Sequence, residues 1–238
     1  MSLVEERLAP AEARRAMPDA RRAMPDARRA MIDSQLRTSG VNAPAVLNAF
    51  NAVAREMFVS ADRRAVAYAD RAIPLDGGPL GGLRVLAPAV THGQMLEAAA
   101  PRSDERALLI GGGTGYLAAL LIQMVGSLTV VEDDAALLAA TPERSGDWHE
   151  GALVSGCPAA APYSLIMIDG AIEQLPVAIA DQLAPDGRIV TGLIERGVAR
   201  LAEGRKSGVA GHGVSFALLG EADFATLVAF AAEKKWSF

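Results

Sequence analysis

Residues 107–132 constrain this chain more than any other stretch. Ala107 to Ile110 is a short apolar run of the kind that forms a buried parallel strand. Gly111, Gly112, Gly113, Thr114 and Gly115 follow, a loop with almost no side chains. Tyr116 to Val125 is apolar apart from Gln123 and reads as a buried helix, stopped by Gly126. Leu128 to Val131 is a second strand, and Glu132 stands at its end. Strand, glycine loop, helix, strand and acid together make the first half of a crevice for a nucleotide-type cofactor. The glycines let backbone approach a ligand closely, and a helix N-terminus offers free amides. A carboxylate after the second strand accepts two ribose hydroxyls.

Two cofactor classes fit this motif. Gly113-x-Gly115-x-x-Ala118 matches the dinucleotide fingerprint as well as it matches an S-adenosylmethionine loop. A purely structural turn is the third reading. The loop by itself does not separate them.

Composition narrows the setting. The 238 residues are enough for one large domain, and 51% are hydrophobic, so a substantial core can form. Only 5% are aromatic, so Ala, Leu and Val must do most of the packing. A net charge of −5 argues against a general nucleic-acid surface. Cys157 is the single cysteine, so no intrachain disulfide forms, and a cytoplasmic, reducing location is expected. Its plainest role is that of a small buried hydrophobe. His92, His149 and His212 have no metal-ligand spacing, so no metal is expected. No apolar run approaches the roughly 20 residues of a membrane span, and no secretory signal is visible.

The N-terminal region carries an internal repeat. Ala-Arg-Arg-Ala-Met-Pro-Asp occurs at 13–19 and 20–26, and Ala-Arg-Arg-Ala-Met-Ile-Asp at 27–33. The seven-residue period does not make a coiled coil, because Pro18 and Pro25 are expected to break the helix every heptad. Residues 1–27 are therefore read as a mobile arginine-rich extension, and 28–238 as one domain. Within it, 28–103 form a helical cap with an acceptor-side segment, and 104–238 an α/β core with the C-terminal elements.

Helical spacing begins at Arg28, with Met31, Ile32, Gln35 and Leu36 on one face and Gly40 as the stop. Asn42-Ala-Pro44 opens a second helix with Val46, Leu47, Phe50 and Val53 inward. Ile73-Pro-Leu75 is extended, Asp76 to Gly82 is a glycine-rich loop, and Val90 to Ala100 is a helix. After Glu132 an Ala- and Leu-rich helix runs to Pro142, and Glu143 to Gly156 is polar and irregular. Leu165 to Ile168 is a third parallel strand ending at Asp169. Pro176 to Leu183 is a helix closed by Pro185-Asp-Gly187, and Arg188 to Thr191 is the next strand. Glu195 to Gly213 reads as an exposed loop or hairpin, and Val214 to Leu219 as a further strand. Ligands in open α/β sheets sit beyond the carboxyl ends of strands, so Gly111, Glu132 and Asp169 should face one crevice.

Several short segments stand in a telling order. They are Met31-Ile-Asp-Ser-Gln-Leu-Arg, Arg55-Glu-Met-Phe-Val, Tyr68-Ala-Asp70, Ile73-Pro-Leu75, Pro88, Met95-Leu-Glu97, the Gly111–Tyr116 loop, Ala161-Pro-Tyr163, Leu165-Ile-Met-Ile-Asp169 and Leu183-Ala-Pro-Asp-Gly-Arg-Ile-Val190. In sequence and spacing, over residues 28 to 195, the chain resembles the protein-L-isoaspartate O-methyltransferase family. The resemblance implies a class I methyltransferase: a doubly wound Rossmann-like α/β sheet flanked by helices, with an N-terminal helical cap. It also implies S-adenosyl-L-methionine as cofactor and the L-isoaspartyl carboxylate of damaged proteins or peptides as acceptor. A monomer is favoured, with no nucleic-acid or membrane partner.

The resemblance further implies residue roles. Gly111, Gly112, Gly113 and Gly115 would meet the methionine moiety, with Tyr116 opening the helix behind them. Glu132 would bind the ribose hydroxyls, Asp133 beside it would also be a cofactor contact, an acid–glycine pair would meet the adenine edge, and Asp169 would face the same crevice. Glu150-Gly151 is preferred over Gly146-Asp147 for that pair. On the acceptor side the family carries a Thr-Ile-Ser-Gln-Pro-like segment whose serine hydroxyl holds the carboxylate. Here Arg84-Val-Leu86-Ala-Pro88 takes its place, with Arg84 at the threonine position and a non-functional Leu86 at the serine position. Leucine cannot donate a hydrogen bond. Arg84, Thr91 and His92 are the candidate replacements, and Leu86→Ser is expected to raise activity if Leu86 is the block. A family member with another acceptor, or a non-catalytic module keeping the fold, is the alternative.

Overall fold

The computed structural model describes residues 20–75, 84–206 and 213–232. Residues 1–19, which include the first copy of the N-terminal repeat, the loop after Leu75, and Trp236 and Phe238 lie outside the described residues.

Helix α1, Ala20–Met31, passes through Pro25 and continues as a single π turn, Ile32–Leu36. Pro25 therefore does not end the helix. The one i→i−4 bond that its ring removes is outweighed by the burial this helix gives to Met31 and its neighbours. Met24 and Ala27, inside the sequence repeat, pack against the core, and Met31 and Leu36 are fully buried. Gly40, at φ 86°, closes the segment. Helix α2, Pro44–Ala52, has Pro44 in its first turn, where a missing N–H is harmless, and buries Val46, Leu47, Ala49 and Phe50. Its orphan N-terminal amides are met from another helix: the Glu97 carboxylate accepts from the N–H of Ala43 at 3.0 Å and of Asn42 at 3.2 Å. Strands β1, Ile73–Pro74, and β2, Val85–Leu86, pair antiparallel, with Ile73 opposite Leu86. Helix α3, Ala89–Ala99, follows Pro88 and carries Glu97.

The core begins with β3, Arg106–Ile110. Next come α4, Tyr116–Leu121, and β4, Ser127–Glu132. Helix α4 is shorter than the apolar run suggests. Its tail tightens into i→i+3 bonds at Gln123 and Met124, because the chain must turn at once into β4. Helix α5, Ala135–Ala140, is N-capped by Asp134, whose Oδ1 accepts from the Ala136 and Leu137 amides. The polar segment expected to be irregular contains a strand, β5, Asp147–Glu150. It lies at the sheet edge, where one side faces solvent and an apolar alternation is not needed. Strand β6 spans Tyr163–Ile172, helix α6 Val177–Asp181 and β7 Leu183–Glu195. The Pro185–Gly187 turn is absorbed as a register shift, since Tyr163 faces Leu183 but Leu165 faces Arg188. Strands β8, Val198–Lys206, and β9, Val214–Glu221, complete the sheet.

The strand order is β5-β4-β3-β6-β7-β8-β9, parallel from β5 to β7 and antiparallel beyond. Alternate residues feed two cores. Ala107, Leu109, Leu165 and Met167 face the core shared with α1 to α5, while Leu108, Ile110, Ile166 and Ile168 face the one beneath α6. The chain leaves β3 in one direction toward β4 and returns at β6 on the other side. The crevice at the carboxyl ends of β3 and β6 is therefore the topological switch point.

A buried ion pair ties α3 to the sheet. Arg188 on β7 holds Glu105 at 2.6 and 2.9 Å and donates to the carbonyls of Ala99 and Ala100 at the end of α3. Burial pushes the Glu105 carboxyl up, but the Arg188 hydrogen bonds, the Arg102 amide and the two nearby guanidinium charges bring it below its ordinary value. The pair thus contributes stability above the unfolded carboxyl pKa of about 4.3, and that stability is lost as pH falls through the lower folded value. Arg188→Met is expected to destabilise by about 3–5 kcal/mol at pH 7. In urea titrations from pH 7 to 3 the variant should lose less stability than the parent.

Candidate functional site

The loop after β3 is built for close approach. Gly111, Gly113 and Gly115 take φ of 81°, 55° and 97°, which residues with a Cβ rarely adopt. Gly112 is required for space: a Cβ there would stand 2.5 Å from Val130 Cγ1 and 2.7 Å from the Trp148 ring. Thr114 anchors the loop to the cap by donating from Oγ1 to the Phe58 carbonyl at 2.7 Å. Tyr116 packs edge-on against Phe50 and Phe58, with the Arg55 guanidinium 4.8 Å from its ring centroid. Burial pushes the Tyr116 phenol up to about 12, against the pull of Arg55. Tyr116 thus locks cap to core.

Glu132 is the hub of the crevice. It is fully buried, and five N–H groups converge on its carboxylate. Gly113 donates to Oε2 at 2.6 Å, and the amides of Asp133 and Asp134 to Oε1 at 3.0 and 3.1 Å. Arg84 supplies the other two in bidentate fashion, Nη1 to Oε1 at 2.9 Å and Nη2 to Oε2 at 2.6 Å. Burial raises the Glu132 carboxyl above its ordinary value, opposed first by Arg84 and then by the Gly113 and Asp134 amides. Asp133, beside it, is exposed and reaches Arg84 at 3.4 Å.

Asp169 lies on β6 beside the loop. A Cβ on Gly111 would stand 3.4 Å from Arg84 Nη2 and 3.5 Å from the Asp169 carbonyl. The Asp169 carboxylate meets His92 Nε2 at 3.0 and 3.2 Å. Glu150 ends β5 directly beside Glu132, and the Gly151 amide donates to the Glu132 carbonyl. Gly146-Asp147 lies at the opposite end of that strand. Gly111, Glu132, Glu150 and Asp169 therefore stand together along the carboxyl edge of the sheet.

The acceptor-side residues do not all point there. Leu86 is 3% exposed and belongs to the core. Thr91 is buried on α3 and donates to the Asp223 carbonyl at 3.2 Å. Of the sequence candidates Arg84, Leu86 and Thr91, only Arg84 places its head group in the crevice. Sequence reasoning did not foresee the Arg84–Glu132 pair, the His92–Asp169 pair or Arg55. Arg55 is fully buried and donates to the carbonyls of Ala67, at 2.8 Å, and Ala87, at 2.5 Å, fixing the backbone between β2 and α3. Arg55 Nη1, Tyr116 Oη and His92 Nδ1 are buried without a hydrogen-bond partner among the described residues. Asp134 did carry a signal, an acid directly before an Ala-rich helix.

A mixed sheet, parallel from β5 to β7, with this switch point, a glycine loop after its central strand and an acid after the next defines a methyltransferase-type α/β protein. The family model described as Protein-L-isoaspartate(D-aspartate) O-methyltransferase (PCMT) matches residues 27–214. A Methylorubrum populi protein named protein-L-isoaspartate O-methyltransferase is 37% identical over 168 residues, covering 66% of this chain and 74% of that one. A Burkholderia mallei protein of the same name is 37% identical over 170 residues, covering 68% and 51%. A solved protein-L-isoaspartate O-methyltransferase superposes with a TM-score of 0.73 at 20% identity, over 84% of this chain and 65% of that one. A Plasmodium falciparum structure described by the same activity, in complex with S-adenosyl-L-homocysteine, gives 0.69 at 16% identity over 84% and 97%. The chain belongs to the protein-L-isoaspartate O-methyltransferase family. Among the described residues no helix is long and apolar enough to cross a membrane.

Proposed function

We propose that this protein methylates the carboxylate of L-isoaspartyl residues in damaged proteins, with S-adenosyl-L-methionine as donor. Family membership together with the Glu132 carboxylate set beside the glycine loop carries this reading. The residues fit the cofactor in one telling respect. Glu132 offers both oxygens, side by side, to a two-pronged donor, and the vicinal hydroxyls of a ribose are such a donor. Arg84 now occupies that position.

In this reading Glu132 holds the ribose, and Asp133, Glu150 and Gly151 border the adenine. Gly111, Gly112, Gly113 and Gly115 line the methionine moiety, with Tyr116 fixing the helix behind them and Asp169 closing the far wall. The cofactor supplies an electrophilic methyl on a sulfonium sulfur. The acceptor carboxylate is ionised at neutral pH, so no general base is required. The protein's own contribution is alignment and the exclusion of water. A reducing, cytoplasmic setting suits the single buried Cys157.

Calorimetric titration with S-adenosylhomocysteine and, separately, NAD tests the cofactor. Saturable binding of the first and none of the second is expected. Transfer of labelled methyl to an isoaspartyl peptide, and not to its aspartyl counterpart, tests the acceptor. Binding of NAD alone, or methylation of both peptides alike, would overturn the reading.

A further inference from the structure

We propose that Arg84 is a transferable anion receptor: it rests on Glu132 in the free protein, is released when a ribose takes that carboxylate, and then binds the acceptor's carboxylate. This rests on the function proposed above.

Of the five donors on Glu132, three are backbone amides of the loop and of the turn after β4, fixed by the fold. The other two belong to one side chain on a different element. Arg84 is therefore the part of the shell that can leave without unfolding anything. Its backbone is held, since its carbonyl accepts from Leu75 at 2.9 Å and Arg55 pins Ala87 a few residues on. The guanidinium can swing while the strand stays.

The swing starts from the right place. Arg84 Nη2 lies directly over Gly111, beside the Asp169 backbone, at the switch point. Once Glu132 is taken, Arg84 keeps only the exposed Asp133, on one nitrogen at 3.4 Å, so its bidentate site is open to another anion. A planar carboxylate is the natural replacement, because it accepts two parallel N–H bonds. Among the described residues, the other sequence candidates on the acceptor side do not offer this. Leu86 has no donor, the Thr91 hydroxyl is turned to Asp223, and His92 is turned to Asp169. Arginine at this position thus takes over the task of a hydroxyl that the chain lacks.

The consequence is linkage. The cofactor and Arg84 compete for Glu132, whereas the cofactor and the acceptor assist each other through Arg84. Coupling between sites is reciprocal, and a coupling of about 5- to 150-fold is typical of such exchanges.

The test is calorimetry on the full chain with three titrants: S-adenosylhomocysteine, an isoaspartyl peptide, and that peptide with the carboxylate replaced by a carboxamide. Wild type should bind the isoaspartyl peptide at least about 5-fold tighter when saturated with S-adenosylhomocysteine, and the carboxamide peptide should show no gain. Arg84→Met should bind S-adenosylhomocysteine tighter than wild type and lose the effect on the peptide. Arg84→Lys, which keeps the charge, should retain part of it, and equal melting temperatures would establish that both variants fold. Peptide affinity indifferent to S-adenosylhomocysteine in wild type, or coupling retained in Arg84→Met, would overturn the proposal. Binding of S-adenosylhomocysteine by Arg84→Met but not by wild type would make Arg84 a fixed plug and overturn the exchange alone. Binding by neither protein would overturn the cofactor reading, and the exchange with it.

Discussion

Glu132→Ala is expected to lower the unfolding free energy by about 3–5 kcal/mol and to abolish S-adenosylhomocysteine binding in the same step. The first effect follows from what the carboxylate holds. Its loss leaves the Arg84 guanidinium with only the long 3.4 Å contact to the exposed Asp133, and the amides of Gly113, Asp133 and Asp134 without their acceptor. An uncompensated buried charge is the dominant penalty, and each orphaned amide adds to it. The second effect follows because nothing else on the loop presents two adjacent acceptors. Glu132→Gln keeps the shape and one acceptor oxygen but not the charge that Arg84 faces, so it should recover only the smaller, amide part of the lost stability and still bind S-adenosylhomocysteine poorly. Urea titration and calorimetry on the same preparations check this. Unchanged ligand affinity in Glu132→Ala would remove Glu132 from the site. The pH dependence adds a signature. Burial lifts the folded Glu132 pKa above the unfolded value, so the proton-linked part of its contribution to stability is full below about pH 4.3 and is lost as pH rises through the folded pKa, while its contacts with Arg84 and the amides persist. Glu132→Gln should erase that slope, which runs opposite to that of Glu105.

Leu86→Ser is expected to destabilise by about 2–5 kcal/mol without raising methyl transfer per folded molecule. The sequence alone suggests the reverse, because a serine at this position would restore the family's hydroxyl. Leu86, however, is 3% exposed, pairs with Ile73 and packs into the core shared with the cap. Truncation leaves a void there and buries a hydroxyl with no assured partner. For a chain of this size the loss corresponds to roughly 5–15 °C in melting temperature. Thermal denaturation together with a methyl-transfer assay normalised to folded protein measures both quantities. A gain in activity at normal stability would show that the hydroxyl reaches the acceptor, and would shift the acceptor pocket from Arg84 to the β1–β2 hairpin.

The placement of the glycine loop and Glu132 at one edge of the sheet was legible because the pattern is local. Apolar runs of fixed length, a glycine cluster and an acid at a strand end all lie within 26 residues, and the right-handed crossover puts them at one edge. The third parallel strand was legible for the same reason, although it runs on to Ile172 and Asp169 falls within it rather than at its end. Strand β5 was not, since an edge strand with solvent on one side has no periodic apolar signal. The continuation of α1 through Pro25 was not legible, because propensity carries the cost of the ring but not the tertiary burial of Met24, Ala27 and Met31 that offsets it.

The acceptor half was illegible for a different reason. Arg84 meets a carboxylate 48 residues away, His92 one 77 away, and Thr91 a carbonyl 132 away. None of these pairings leaves a trace in local spacing. The sequence by itself determined the sheet, the loop and the acid, because backbone geometry and burial act over short stretches of chain. Which side chain answers that acid was decided only when the cap folded over the crevice. A buried carboxylate takes the strongest donor within reach, and reach is a property of the tertiary structure.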